Sequence, residues 1–212
     1  MQETRQRIAE AAMELHQTVG PARTTVSAIA EKAGVQRHTY YAHFPELKDL
    51  YQACMGHYME QNPLPEPPFW ADVADAEERL RVALSEIYAY YSRQEAMISN
   101  VLRDAALDPI LQETMVPIYQ HWETVRDVIA DAYEASGERH EALLGAIALA
   151  QDFQTWHTGT PAGAEPRSGR GVDGRDGALP DAHLAVPLPR KGLRGSSENT
   201  PSRHLGEKGT SG

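Results

Sequence analysis

The sequence predicts an all-α fold made of a small three-helix head, a longer helical body and a disordered tail. Apolar residues recur at three- and four-residue steps through most of the first 157 positions, which is the period of a buried helix face. No stretch shows sustained two-residue alternation of strand-forming residues. Glycine and proline fall where the helical pattern stops, so boundaries can be placed as well as elements.

The head is expected over residues 1–60. Ile8, Ala11, Ala12, Leu15 and Val19 form one stripe of a first helix, which ends at Gly20-Pro21 because proline cannot continue it. Thr24 or Thr25 is placed to cap a short second helix, with Val26, Ile29, Ala30 and Ala33 turned inward. Gly34 makes the next turn, a third helix follows over about 36–43, and Pro45 closes it. A fourth helix over about 47–60 carries Leu50, Tyr51, Cys54 and Tyr58 at helical spacing.

The body is expected over 61–157. It opens on NPLPEPPFW, residues 62–70, whose four prolines demand a loop. Helices follow over about 72–93, 95–107, 109–134 and 138–157. Leu80, Ala83, Leu84, Ile87 and Tyr91 share one face, and Trp122, Val125, Ile129 and Tyr133 another.

Residues 158–212 differ in character. They hold eleven of the sixteen glycines and six of the fourteen prolines, and no Phe, Trp or Tyr. Such a segment cannot bury enough apolar surface to offset an ordering cost of about 1–2 kcal/mol per residue, so it is expected to be disordered. The natural reading is a disordered extension. Its excess of Gly, Ala, Pro, Arg and Ser is also what out-of-frame GC-rich codons yield, which makes a lost reading frame near residues 157–159 a second explanation.

Charge and cysteine content narrow the function classes. The single cysteine, Cys54, excludes an intramolecular disulfide and is read as a buried small apolar group. The N-terminal stretch is amphipathic and lacks the continuous apolar run of a signal peptide, and the longest apolar run, 142–150, is too short to cross a bilayer. A soluble cytoplasmic protein is the expectation. The net charge of −10 is unevenly placed. Residues 1–52 balance six basic against six acidic groups, whereas 53–157 carry six against eighteen. A polyanion senses the field within about 10 Å at 0.1 M salt, so the acidic body does not exclude nucleic acid from the neutral head.

The stretch TTVSAIAEKAGVQRHTYYAHF, residues 24–44, has the spacing of a helix-turn-helix. Ala30 is small where the second helix crosses closely, and Gly34, four positions on, tolerates the left-handed turn. Ile29, Ala33, Val35 and Tyr40 supply the inner face. On the outer face Arg37 can bond guanine in a bidentate fork, and Thr39 can meet a thymine methyl or a phosphate. Tyr41 and His43 can donate to phosphate oxygens and fix the helix in place.

With its IAEKAGV turn and TYYAHFPELKDL ending, this stretch resembles the DNA-binding head of the tetracycline-repressor (TetR) family. The resemblance covers about a quarter of the chain; the helical body agrees in architecture only. It implies recognition residues at Arg37, His38, Thr39, Tyr41 and His43, with Thr25 opening the preceding helix. Three departures stand out. Gln36 occupies a position where a Ser or Thr cap is usual, His38 replaces a frequent Gly, and the phosphate-contacting Lys is Leu47 here, with Lys48 one residue later as a substitute.

The resemblance further implies a homodimer on a near-palindromic double-stranded DNA operator, released by a small-molecule effector bound in the body. Tyr88, Tyr91, Met97, Tyr119 and Trp122 are the candidate effector contacts, with Met115 and His121 as similar candidates. The aromatic and acidic content would suit a flat or cationic molecule. Leu143, Leu144, Ile147, Phe153 and Trp156, with small residues between them, are the candidate dimer interface. The atypical end of the chain keeps an alternative open: a regulator impaired in dimerisation, acting at most as a helical interaction module. Neither a metal, a cofactor nor an enzymatic activity is expected, since the sequence has no HExxH pair, GxSxG elbow or Walker loop, and GVDGRDG at 171–177 lacks the downstream Glu of a calcium loop.

Overall fold

A computed structural model describes residues 2–159 and contains, among them, nine α-helices, one 3-10 turn and no strand. The head comprises the three helices α1 (Gln2–Thr18), α2 (Val26–Lys32) and α3 (Arg37–His43), with a fourth, α4 (Leu47–Gln61), packed against α1. The body comprises α5 (Pro68–Ala71), α6 (Ala76–Ala105), α7 (Pro109–Ala130), α8 (Glu138–Gln151) and α9 (Phe153–Gly159). No helix of the described residues is long and apolar enough to cross a membrane.

The head core forms where the sequence pattern puts it. Ile8, Ala11, Ala12, Ile29, Ala33, Tyr40, Phe44, Leu50 and Cys54 are buried together. Val19 is not part of it: α1 stops at Thr18, and Val19 lies partly exposed in the corner that follows. Between α2 and α3, Gly34 takes φ +64 while its N–H bonds Glu31 O and the Val35 N–H bonds Ala30 O. That pair of bonds closes the helix in a Schellman turn, which needs a residue without a Cβ penalty at this position. The Cys54 thiol is sealed in the same core and donates to Ala9 O at 3.5 Å; burial pushes it up to about 12, so it stays a thiol.

Several body boundaries differ from expectation, each for a visible reason. Residues 68–71 of the proline-rich segment fold as α5, since proline fits the first turn of a helix. They carry Trp70 into the core with its indole N–H on Glu86 Oε2 at 2.7 Å. The two helices expected over 72–93 and 95–107 are one, α6, capped by Asp75. The helix expected over 138–157 is broken at Asp152, which is extended. There the hydroxyls of Tyr88 and Tyr91 donate to the carbonyls of Ala150 and Gln151, at 2.7 and 2.6 Å, and satisfy the end of α8. Asp152 Oδ1 then accepts from Thr155 N at 2.8 Å and starts α9. That helix includes Thr158 and Gly159; the rest of the expected disordered tail, and the reading-frame explanation for it, lie outside the described residues.

Arg79 is the body's buried cation. Its guanidinium donates to the carbonyls of Val73, Val128 and Ala71 and so ties the α5–α6 loop to α7.

Candidate nucleic-acid interface and effector cavity

The outer face of α3 is built by the burial of its inner face. Tyr40 is 3 % exposed, while Tyr41, the next residue, is 48 % exposed. Phe44 anchors the end of the helix beneath the Arg5 guanidinium, which lies 4.1 Å from its ring centroid and also donates to His43 O. Arg37 and His38 are exposed with Tyr41, and Thr39 and His43 are half-buried at the same face. His38 Nε2 and Thr39 Oγ1 lie 3.3 Å apart, so these two neighbours share a polar contact. Gln36 starts α3 without a side-chain cap bond, as its residue type implies. Thr25 caps α2 by accepting from Ala28 N at 3.2 Å, which leaves its hydroxyl proton free to donate.

Lys48 stands differently from the rest. Its ammonium pairs with Glu113 Oε1 of α7 at 2.7 Å, so it bridges head and body. A phosphate at this lysine must compete with that carboxylate.

Two further ties cross the same seam. At the end of α1, Asn100 Nδ2 of α6 donates to the carbonyls of His16 and Gln17 at 3.2 and 2.8 Å, and Arg103 Nη2 to Val19 O at 3.3 Å. Asp104 accepts from Ala22 N at 2.9 Å and from Arg103 Nε at 2.7 Å. Burial opposes the Asp104 charge, but these donors outweigh it and hold the carboxyl below its usual range. Gly20, at φ +91, sits so close beneath this group that a Cβ would collide with the Arg103 guanidinium and the Asp104 carboxylate. The second tie is Asp108. It caps α7 through the N–H groups of Ile110 and Leu111 and accepts the Tyr51 hydroxyl of α4 at 2.9 Å.

Behind this seam lies a mainly apolar cavity of about 350 Å³. Tyr91, Met97, Tyr119 and Trp122 line it, as does Met115. Two expectations are corrected. Tyr88 is not in the wall, because its hydroxyl is drawn to Ala150 O. His121 is not in it either, its Nε2 lying 3.0 Å from Pro65 O. The wall also contains residues that sequence reasoning missed, above all head residues from α1 and α4: Met13, His16, Tyr51, Met55, Tyr58 and Met59. No local signal marks them, since nothing in the pattern of α1 or α4 alone shows that a cavity lies beside these positions. At the α8 end, Gln151 Nε2 donates to Trp122 O at 2.7 Å, which leaves Gln151 Oε1 buried without a partner among the described residues.

The candidate interface on α8 also needs correction. Ile147 and Phe153 are buried inside the protomer's own core with Tyr91, Val125 and Ile129, so they are not available to a partner. Leu143, Leu144 and Trp156 pack partly against the same core. The outward stripe of α8 is Ala142, Gly145, Ala146 and Leu149, the last 67 % exposed. Among the described residues, no cluster of three His, Cys, Asp or Glu forms a metal site.

Comparison with known proteins agrees with this architecture. The family model for bacterial regulatory proteins of the tetR family matches residues 8–54. The HTH-type transcriptional regulator TtgW of Pseudomonas putida is 35 % identical over 106 residues, covering 50 % of this chain and 77 % of that protein. The regulator SrpR, also of Pseudomonas putida, is 29 % identical over 157 residues, covering 73 % and 68 %. Among solved structures, NalD, the secondary repressor of the MexAB-OprM multidrug efflux pump in Pseudomonas aeruginosa, superposes with a TM-score of 0.54 at 18 % identity, covering 78 % of this chain and 89 % of that one. PfmR, a TetR family regulator from Thermus thermophilus, gives 0.52 at 18 % identity, with 75 % and 89 % covered. By its helix-turn-helix sequence, its all-helical architecture and its relatives, the chain belongs to the TetR family of DNA-binding transcriptional regulators.

Proposed function

We propose that the chain is a repressor that binds a near-palindromic operator as a homodimer and is released by a small effector held in the cavity. The observation that carries this reading is the exposure of Arg37, His38 and Tyr41 on α3 directly above a filled head core, at the end of a seam that the cavity borders. Arg37 would read a guanine edge, with His38 and Thr39 beside it, while Tyr41, His43 and Thr25 would hold phosphates. Lys48 would join them on leaving Glu113. The chain divides, on this reading, into a DNA-binding head over 1–60 and a regulatory body over 61–157.

Two heads entering successive major grooves stand about 34–36 Å apart. An effector that favours another arrangement of the body would alter that spacing through the Asn100–Asp104 group and lower operator affinity by its differential affinity for the two states. The outward stripe of α8, with its small residues and Leu149, is the surface we assign to the second copy. Selection from a random duplex library by the purified chain tests the reading. Two-fold symmetric enrichment with half-sites about 10–10.5 base pairs apart supports it, and recovery without sequence preference contradicts it. Enrichment of a single half-site by a species that scatters light as a monomer would favour a regulator impaired in dimerisation.

A further inference from the structure

Several polar groups of the cavity wall are engaged within the protein. The hydroxyls of Tyr51, Tyr58 and Tyr91 donate to Asp108, Gln94 and Gln151 O, and that of Thr114 to Ile110 O. His16 is different. It is 5 % exposed and lines the cavity from the last turn of α1, yet among the described residues no hydrogen bond reaches its ring nitrogens. Its imidazole lies edge-on to the Tyr51 ring, at 5.8 Å between centroids. Burial drives the ring's protonation down to about 4, against the pull of Asp104, so near neutral pH it is uncharged and offers one donor and one acceptor.

Most of the remaining wall is apolar, with Glu123, Arg126 and Asp152 among its other polar side chains. All five methionines after Met1 line this cavity: Met13, Met55, Met59, Met97 and Met115. Their unbranched, polarisable side chains adapt to many apolar shapes without selecting an orientation. A fixed polar group among them would decide how a molecule lies.

We propose that His16 is an orienting contact at the head end of the cavity for a compact apolar molecule carrying one hydroxyl or N–H group, so that the bound molecule touches the reading head itself. The inference rests on the effector-cavity reading above and deepens it. The backbone carbonyl of this same residue is held by Asn100, so a ligand on the ring acts where α1 is joined to α6.

Equilibrium dialysis of the full chain against 2-naphthol and naphthalene tests the assignment, because the two probes share a flat apolar body and differ in one hydroxyl. The wild-type chain should bind both and prefer 2-naphthol. His16→Phe should lower the 2-naphthol to naphthalene affinity ratio about tenfold by leaving the hydroxyl unpaired, with naphthalene affinity held within about twofold. His16→Gln, which keeps a donor and an acceptor, should retain most of the ratio. Should His16→Phe fail to fold, the smaller His16→Leu carries the same comparison. A ratio unmoved by removal of the imidazole overturns the His16 assignment and leaves the cavity reading intact. A wild-type chain that binds neither probe overturns both.

Discussion

In the head, Phe44, Ile8 and Leu50 are fully buried, and the residues assigned to recognition stand outside that core on α3. In the body the arrangement is turned inside out. Tyr91, Met97 and Trp122 surround a space that the protein leaves open, and the exterior is acidic. A closely packed interior fixes the direction of an external helix, which a base-reading surface requires. An incompletely filled one can be completed by a ligand, and the stability then gained depends on ligand concentration. On the proposed function, the two regions divide rigidity and responsiveness between them, and the polar ties at Asn100, Asp104 and Asp108 join the two.

Truncation should separate the two interiors most sharply. Phe44→Ala removes a ring from a filled core and should cost about 3–5 kcal/mol, read as a fall in the denaturation midpoint. Met115→Ala only enlarges a space already open and should cost less than about 2 kcal/mol. Equal losses would break the comparison.

The next effect concerns His16, a head residue on the body's cavity. The unfolded chain takes up a proton on this side chain near pH 6.5, the folded chain only near 4. Stability attributable to His16 is therefore fully present above about pH 6.5 and is lost as pH falls toward 4, by up to about 3 kcal/mol. Because carboxylates also titrate there, the measurement is the difference between wild type and His16→Gln across that window. Parallel curves would show that the ring is not held neutral.

At the seam, Gly20→Ala should destabilise by roughly 1–3 kcal/mol, since the left-handed backbone and the Arg103–Asp104 group both resist a methyl. Urea denaturation checks it, and an unchanged midpoint would show the corner to be loosely held. The smallest effect is expected at Lys48→Ala. The exposed pair with Glu113 contributes no more than about 1 kcal/mol, so stability should barely move. The salt dependence of operator binding should become shallower by close to one phosphate contact. A salt slope equal to that of wild type would leave Lys48 with its bridging role alone.

The head was legible because its determinants are local. Gly34, the Gly20-Pro21 stop and the stripe from Ile8 to Leu15 act within a few residues of each other, and the fold follows their spacing. The body was legible as helices but not in detail. Its one long helix, α6, looked like two because its apolar face changes partner. Ala83, Ile87 and Tyr91 pack into the body, whereas Asn100 and Asp104 turn toward the head. The break at Asp152 was hidden for a similar reason, as the carbonyls released there are satisfied by tyrosines some sixty residues away. Ile147 and Phe153 have the apolar character of an interface, yet only their neighbours in space show that they face inward. His16 gave no signal at all, since a histidine in the last turn of a helix is an ordinary residue until the cavity beside it is seen.

On the proposed function, the outer face of α3 reads bases while taking no part in the fold. Competition binding of wild type and Arg37→Ala to the duplex recovered by selection, and to its single-position variants, tests this most directly. Arg37→Ala should melt like wild type, lose roughly 1–3 kcal/mol of operator affinity and relax preference at one position in each half-site. Undiminished affinity with the same base preferences would show that Arg37 does not read the operator.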